Sequence, residues 1–129
     1  MSCVFCDIVT MDKYNQILKV YKADELLNLC DVVIFEPLDP CVKGHLLFVP
    51  SEHVDNIGDP QILSPLVTAS VYKAIALYLK EFPQQCNIVT NNGKDADQTV
   101  FHLHVHLLPR VEGDNVTLPW EWQKKNKNK

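Results

Sequence analysis

The chain has 129 residues, enough for one domain with a proper core, and 47% apolar against 22% charged residues, the balance of a soluble globular protein. The formal net charge is −4, with no basic patch in the body of the chain, which argues against nucleic acid as the main partner. No charged segment leads into a signal-like apolar run and no apolar run approaches about 18 residues, so neither secretion nor a membrane is expected. Five cysteines, with only Cys3 and Cys6 closely spaced, argue against a disulfide framework and fit a reducing cytoplasm.

In chain order, Phe5 and Ile8 have the spacing of a short helix near the N-terminus, and Met11 to Gln16 reads as a turn. Ile17 to Tyr21 reads as a short strand, and Lys22 to Asp31 as either a turn of helix or a longer hairpin. Val32 to Phe35 is a buried strand ended by Pro37 and Pro40, and Leu46 to Val49 a further one closed by Pro50. Leu63, Leu66, Val67, Val71, Ala74, Ile75 and Tyr78 follow a helical period. Ser64-Pro65 supplies an N-cap and first position, Asp59-Pro60 an earlier possible start, and Pro83 a stop after Phe82. Cys86 to Thr90 is a strand, and Asn91 to Asp95 is turn chemistry. These short connections predict an α+β fold: a mainly antiparallel five-stranded sheet, one long and one short helix, and the helices on one side. A single domain over residues 1–122 is expected, with docked Trp120 and Trp122, followed by a disordered Lys/Asn-rich tail over 123–129.

The most informative stretch is Phe101-His102-Leu103-His104-Val105-His106-Leu107-Leu108-Pro109. Alternation by two places three imidazoles on one face of a strand and Phe101, Leu103, Val105 and Leu107 on the other. The apolar face is core, so the histidine face is expected to line a site. A metal site made by the three histidines alone is disfavoured, because same-face neighbours on a flat strand stand roughly 6.5–7 Å apart. Cys3-x-x-Cys6 has the spacing of half a zinc site; a redox pair or two unrelated thiols are the other readings.

The pattern from His102 to Leu108 resembles the signature of the histidine triad nucleotide hydrolases and transferases. Cys3-Val4-Phe5-Cys6, Gly44-His45 to Pro50-Ser51-Glu52-His53, Asn91-Asn92-Gly93 and Gln98-Thr99-Val100-Phe101 are similar to further segments of that family, in the same order. The resemblance implies a homodimer paired through the long helix and an edge strand. It implies structural zinc held by Cys3, Cys6, His53 and His102. It implies catalysis by His104 as nucleophile on the α-phosphorus of a nucleotide, with His106 on phosphate or bridging oxygen and His45 in support. Asn91, Gln98 and Thr99 are then expected to hold phosphate, and Phe5, Ile8, Phe35 and Leu38 to sandwich the base. In that family the C-terminal segment often reaches the partner's site, which implies a contact of Trp120 with substrate there.

Two positions depart from the pattern. Many members carry an aspartate for the ribose hydroxyls where this chain has Pro37, and glycine where it has Asp97. The implied activity is hydrolysis or transfer on nucleoside phosphoramidates or dinucleoside polyphosphates through a nucleotidyl-histidine. A nucleotide-binding regulatory protein with little turnover is the other reading.

Overall fold

A computed structural model describes residues 3–11, 17–26 and 29–127. The elements run α1 (Val4–Met11), β1 (Ile17–Tyr21), α2 (Ala23–Leu26), β2 (Val32–Phe35), β3 (Leu46–Pro50), α3 (Ser64–Glu81), β4 (Cys86–Val89), β5 (Val105–Pro109) and α4 (Pro119–Asn126), with a 3₁₀ turn at Lys94–Ala96. The five strands form one antiparallel sheet in the order β1-β2-β3-β5-β4. The expected α+β class and five-stranded sheet are found. The expected turn at Met11 to Gln16 falls mostly outside the described residues, apart from Met11, which ends α1.

Helices cover both faces of this sheet, not one as expected. Val32, Ile34, Leu46, Phe48, Val105 and Leu107 pack with Val67, Val71, Ala74 and Ile75 of α3. Val33, Phe35, Leu47 and Val49 pack with Phe5 and Ile8 of α1. Two covered faces explain why β2 and β3 are apolar at successive positions and buried along their whole length. Helix α1 is short, so it covers only part of its face. Across β3 and β5, His106 pairs with Leu47, while Leu46 and Phe48 pair with Leu107 and Val105. His106 therefore stands on the α1 face, where the sheet is incompletely covered.

The triad stretch is only partly strand. Leu103, Val105 and Leu107 are core as expected, but β5 begins at Val105, and Phe101 is 44% exposed. The reason is local: the Leu103 amide donates to the Val54 carbonyl, so the chain before β5 pairs with the segment that follows β3. The long helix starts one residue early, with Leu63 at the N-cap. The Ser64 hydroxyl donates to the Asp59 carbonyl, 2.7 Å, and is not the cap.

The C-terminus also differs from expectation. Residues 123–126, expected to be disordered, continue α4, which has Pro119 in its first turn, Glu121 beside it, and Lys124 and Lys125 in its last turn. Trp120 and Trp122 are 52% and 59% exposed, not docked. The segment is held by polar contacts. Arg110, just past β5, donates to both carboxylate oxygens of Asp114 (2.7 and 3.1 Å), to Asn87 Oδ1 (2.7 Å) and to the Val116 carbonyl (3.3 Å). It also pairs with Glu121 at 2.7 Å. The Arg110 guanidinium holds the Asp114 carboxyl well below the usual carboxylate range.

Candidate functional site

Two clefts open beside α1. The first, about 460 Å³, is lined on one side by Val4, Phe5 and Ile8 and on the other by Phe35, Pro37 and Leu38; Leu47 and Val100 add apolar surface. His45, His104 and His106 form its polar end, with Glu36, Asp39, Cys41 and Thr99 also on its wall. All four residues expected to sandwich a base therefore line it. Leu47 was missed, although its position opposite His106 follows from strand register. Cys41 carries no sequence signal for a place here.

Backbone atoms and obligate donors assign the histidine tautomers. His104 Nδ1 lies 2.8 Å from the His102 carbonyl, so Nδ1 carries the proton and donates, leaving a lone pair on Nε2. The Cys41 amide donates to His45 Nδ1 at 3.0 Å. Neutral His45 must then carry its proton on Nε2, which donates to His106 Nδ1 at 2.9 Å. Neutral His106 in turn carries its proton on Nε2. The His104 and His106 rings are 5.1 Å apart. The site thus pairs an imidazole lone pair with an imidazole N–H. Burial lowers the pKa of His45 and of His104, and burial, then His104 and His45, takes His106 down to about 4. All three rings are therefore neutral at pH 7, as the assignment requires. His45 was expected to support His104; its hydrogen bond goes to His106 instead.

The second cleft, about 640 Å³, is lined by Cys3, Cys6, Asp7, His53 and Asp55 and shares Val4, Thr99 and Val100 with the first. One ligand atom each from Cys3, Cys6, His53 and His102 falls within a 4.8 Å cluster. His53 Nδ1 and His102 Nδ1 are 3.1 Å apart; Cys6 Sγ stands 3.2 and 3.4 Å from them, and Cys3 Sγ 3.5 Å from His102 Nδ1. Zinc–sulfur and zinc–nitrogen bonds of about 2.3 and 2.0 Å in a tetrahedron give ligand–ligand edges of roughly 3.3–3.6 Å for these pairs. The donor set and its spacing fit zinc.

Both imidazoles are also turned the right way. His102 Nε2 donates to the Pro50 carbonyl at 2.8 Å, and His53 Nε2 to Asp55 Oδ1 at 3.0 Å, which leaves both Nδ1 lone pairs in the cluster. Burial, then Cys3 and Asp7, pushes the Cys6 thiol up to about 11, so a thiolate at this spot calls for a cation beside it.

Asn91 and Gln98, expected on phosphate, are not among the residues lining either cleft. Asn91 Nδ2 donates to the Asp97 carbonyl at 3.5 Å. Gln98 is buried and fully engaged. Its Nε2 donates to the carbonyls of Asp55 (2.7 Å) and Val100 (3.0 Å), and its Oε1 accepts from the Gly93 amide (2.8 Å) and Asn56 Nδ2 (3.1 Å). No hydrogen-bonding capacity is left for a ligand. Of the three, Thr99 alone lines a cleft.

Residues 19–113 match the HIT domain model. The chain is 32% identical over 123 residues to Protein hit of Bacillus subtilis, covering 93% of this chain and 79% of that one. It is 34% identical over 111 residues to the adenosine 5'-monophosphoramidase hnt1 of Schizosaccharomyces pombe, covering 85% and 75%. A zinc-bound histidine triad family protein from Mycobacterium smegmatis is similar in structure, with a TM-score of 0.65, 32% identity, and 92% and 81% of the two chains covered.

If Gln98 is a structural tie, Gln98→Leu takes the partner from the Gly93 amide and from the Asp55 and Val100 carbonyls, all part-buried, and should lower stability by about 1–3 kcal/mol in urea unfolding. Nucleotide affinity, measured by calorimetry, should change little. Unchanged stability with a large loss of affinity would return Gln98 to a phosphate role.

Proposed function

The chain belongs to the HIT family, and on that premise we propose that it is a nucleotide hydrolase or transferase acting at the α-phosphorus through a nucleotidyl-histidine intermediate. The observation that carries the reading is the pair of opposed tautomers at the end of an apolar cleft. His104 Nε2 supplies the attacking lone pair, and His106 Nε2–H donates to phosphate or leaving-group oxygen. His45 fixes the His106 tautomer, and Thr99 stands where the two clefts meet, in reach of phosphate. Phe5, Ile8, Phe35 and Leu38 hold the base. Phosphoramidates are the favoured substrates, in keeping with the named activity of the yeast relative; dinucleoside polyphosphates are the further class. Cys3, Cys6, His53 and His102 hold zinc as a structural tie between α1, the end of β3 and the start of the triad. When bound, zinc would supply a four-coordinate cross-link that holds these segments together.

Quenched protein mixed with a nucleoside phosphoramidate should show a nucleotidyl adduct on His104 by mass spectrometry. His104→Ala should remove it and leave nucleotide binding largely intact. Loss of His106 should slow its formation by about 10²–10⁴-fold. An adduct that persists in the His104 variant, or maps to His106, would overturn the assignment.

Pro37 lines the cleft without a side-chain acceptor for ribose hydroxyls. A site lacking such acceptors discriminates weakly. Ribo- and deoxyribonucleotide substrates should therefore differ by less than about a hundredfold in kcat/KM, some 2.7 kcal/mol. A larger preference would mean that Glu36 or Asp39, on the same wall, has taken the role.

We also infer a homodimer. The strand order leaves β4 at an edge, and apolar surface lies exposed on and just before α3, with Ile62 at 92% and Leu66 at 54%. Light scattering at micromolar concentration should give twice the chain mass; a monomer would contradict the pairing.

A further inference from the structure

Cys3 and Cys6, on the second cleft, bracket Phe5, which lines the first. Phe5 packs edge-on against His104, ring centroids 5.0 Å apart, and against Phe35 at 5.5 Å. Cys3 immediately precedes α1 and accepts the Cys6 amide on its sulfur at 3.4 Å. Both thiols are half-buried and line the open second cleft, and their sulfurs lie within 4.8 Å of each other. Cys3 caps α1, its carbonyl accepting the Asp7 amide at 3.0 Å, so its side chain can turn toward Cys6 while that backbone bond is kept. His102 adds a second link: its Nδ1 belongs to the cluster, and its carbonyl receives the His104 Nδ1 proton.

We propose that Cys3 and Cys6 are an oxidisable pair whose conversion to a disulfide by a peroxide releases the metal and shuts the nucleotide site. The inference rests on the zinc reading above. In the first step one zinc-held thiolate attacks a peroxide oxygen and breaks the O–O bond, giving a sulfenic acid and hydroxide. In the second, the other thiolate attacks that sulfur and expels a second hydroxide. Two sulfurs lose two electrons, the peroxide gains them, and zinc leaves with its two imidazole ligands freed. Drawing the sulfurs together shifts Phe5 against His104, and His102 loses the metal that fixes its ring. Both links reach the nucleophile without any change in its own ligands.

The test uses the zinc-loaded full-length protein, titrated with hydrogen peroxide. Released zinc is followed with a chromogenic chelator, and thiols are mapped by alkylation and peptide mass spectrometry. One zinc should appear per Cys3–Cys6 disulfide. Adduct formation on His104 should fall at least tenfold in step, and dithiothreitol with added zinc should restore both. Zinc retained while Cys41 or Cys86 oxidises would overturn the proposal, as would a sulfinic acid at Cys3 or Cys6 without a disulfide. Full adduct formation after the disulfide has formed would overturn its regulatory half. Protein purified without zinc would instead fail the zinc reading, before any peroxide is added.

Discussion

The active end of the cleft depends on one hydrogen bond, His104 Nδ1–H to the His102 carbonyl at 2.8 Å. A neutral imidazole has one donor and one acceptor nitrogen, and which is which decides whether it can attack. The carbonyl that settles this for His104 belongs to a residue whose own ring is tied at both ends, to the Pro50 carbonyl and to the cysteine cluster. Fixing one backbone unit thus fixes which nitrogen of His104 keeps its lone pair. His106 is set from the opposite direction, through His45 and the Cys41 amide. Two histidines that look equivalent in the sequence acquire opposite tautomers because different backbone atoms address them.

The two-sided sheet makes this arrangement possible. Helix α3 covers one face, where its Val67, Val71, Ala74 and Ile75 complete the larger of the two core clusters. On the other face α1 covers only part of the strands, and the uncovered remainder is the cleft. Burial is high enough there to keep the imidazoles neutral, yet the cleft stays open to a ligand.

Much of this was legible in the sequence. Period-two alternation placed Leu103, Val105 and Leu107 in the core and put His106 on the opposite face. The family resemblance named four residues, far apart in the chain, that the fold brings into one cluster. What escaped was decided by atoms that have no letter of their own. The Val54 carbonyl takes the Leu103 amide and turns Phe101 outward; the Cys41 amide sets His45. The family resemblance put Gln98 on phosphate, but four backbone and side-chain partners claim its amide first. Helices on both faces were missed because a fully buried strand has no alternation to show which side is covered. The C-terminal helix was missed because its hold comes from Arg110 and Glu121, a pairing over eleven residues that no helical or strand period reveals.

Asp97 shows how a departure from a family pattern can preserve the fold. Its backbone sits at φ 66°, at the end of the 3₁₀ turn, with its amide on the Lys94 carbonyl. That left-handed region suits glycine best and is open to aspartate and asparagine at modest cost. Glycine, the residue in many members of the family, is explained by the backbone alone. With aspartate the turn keeps its path, and the carbonyl still accepts from Asn91. Asp97 is exposed and lines neither cleft, so its charge is offered to solvent and not to a bound phosphate. The substitution costs the chain some backbone strain and leaves the electrostatics at His104 to the groups within the cleft.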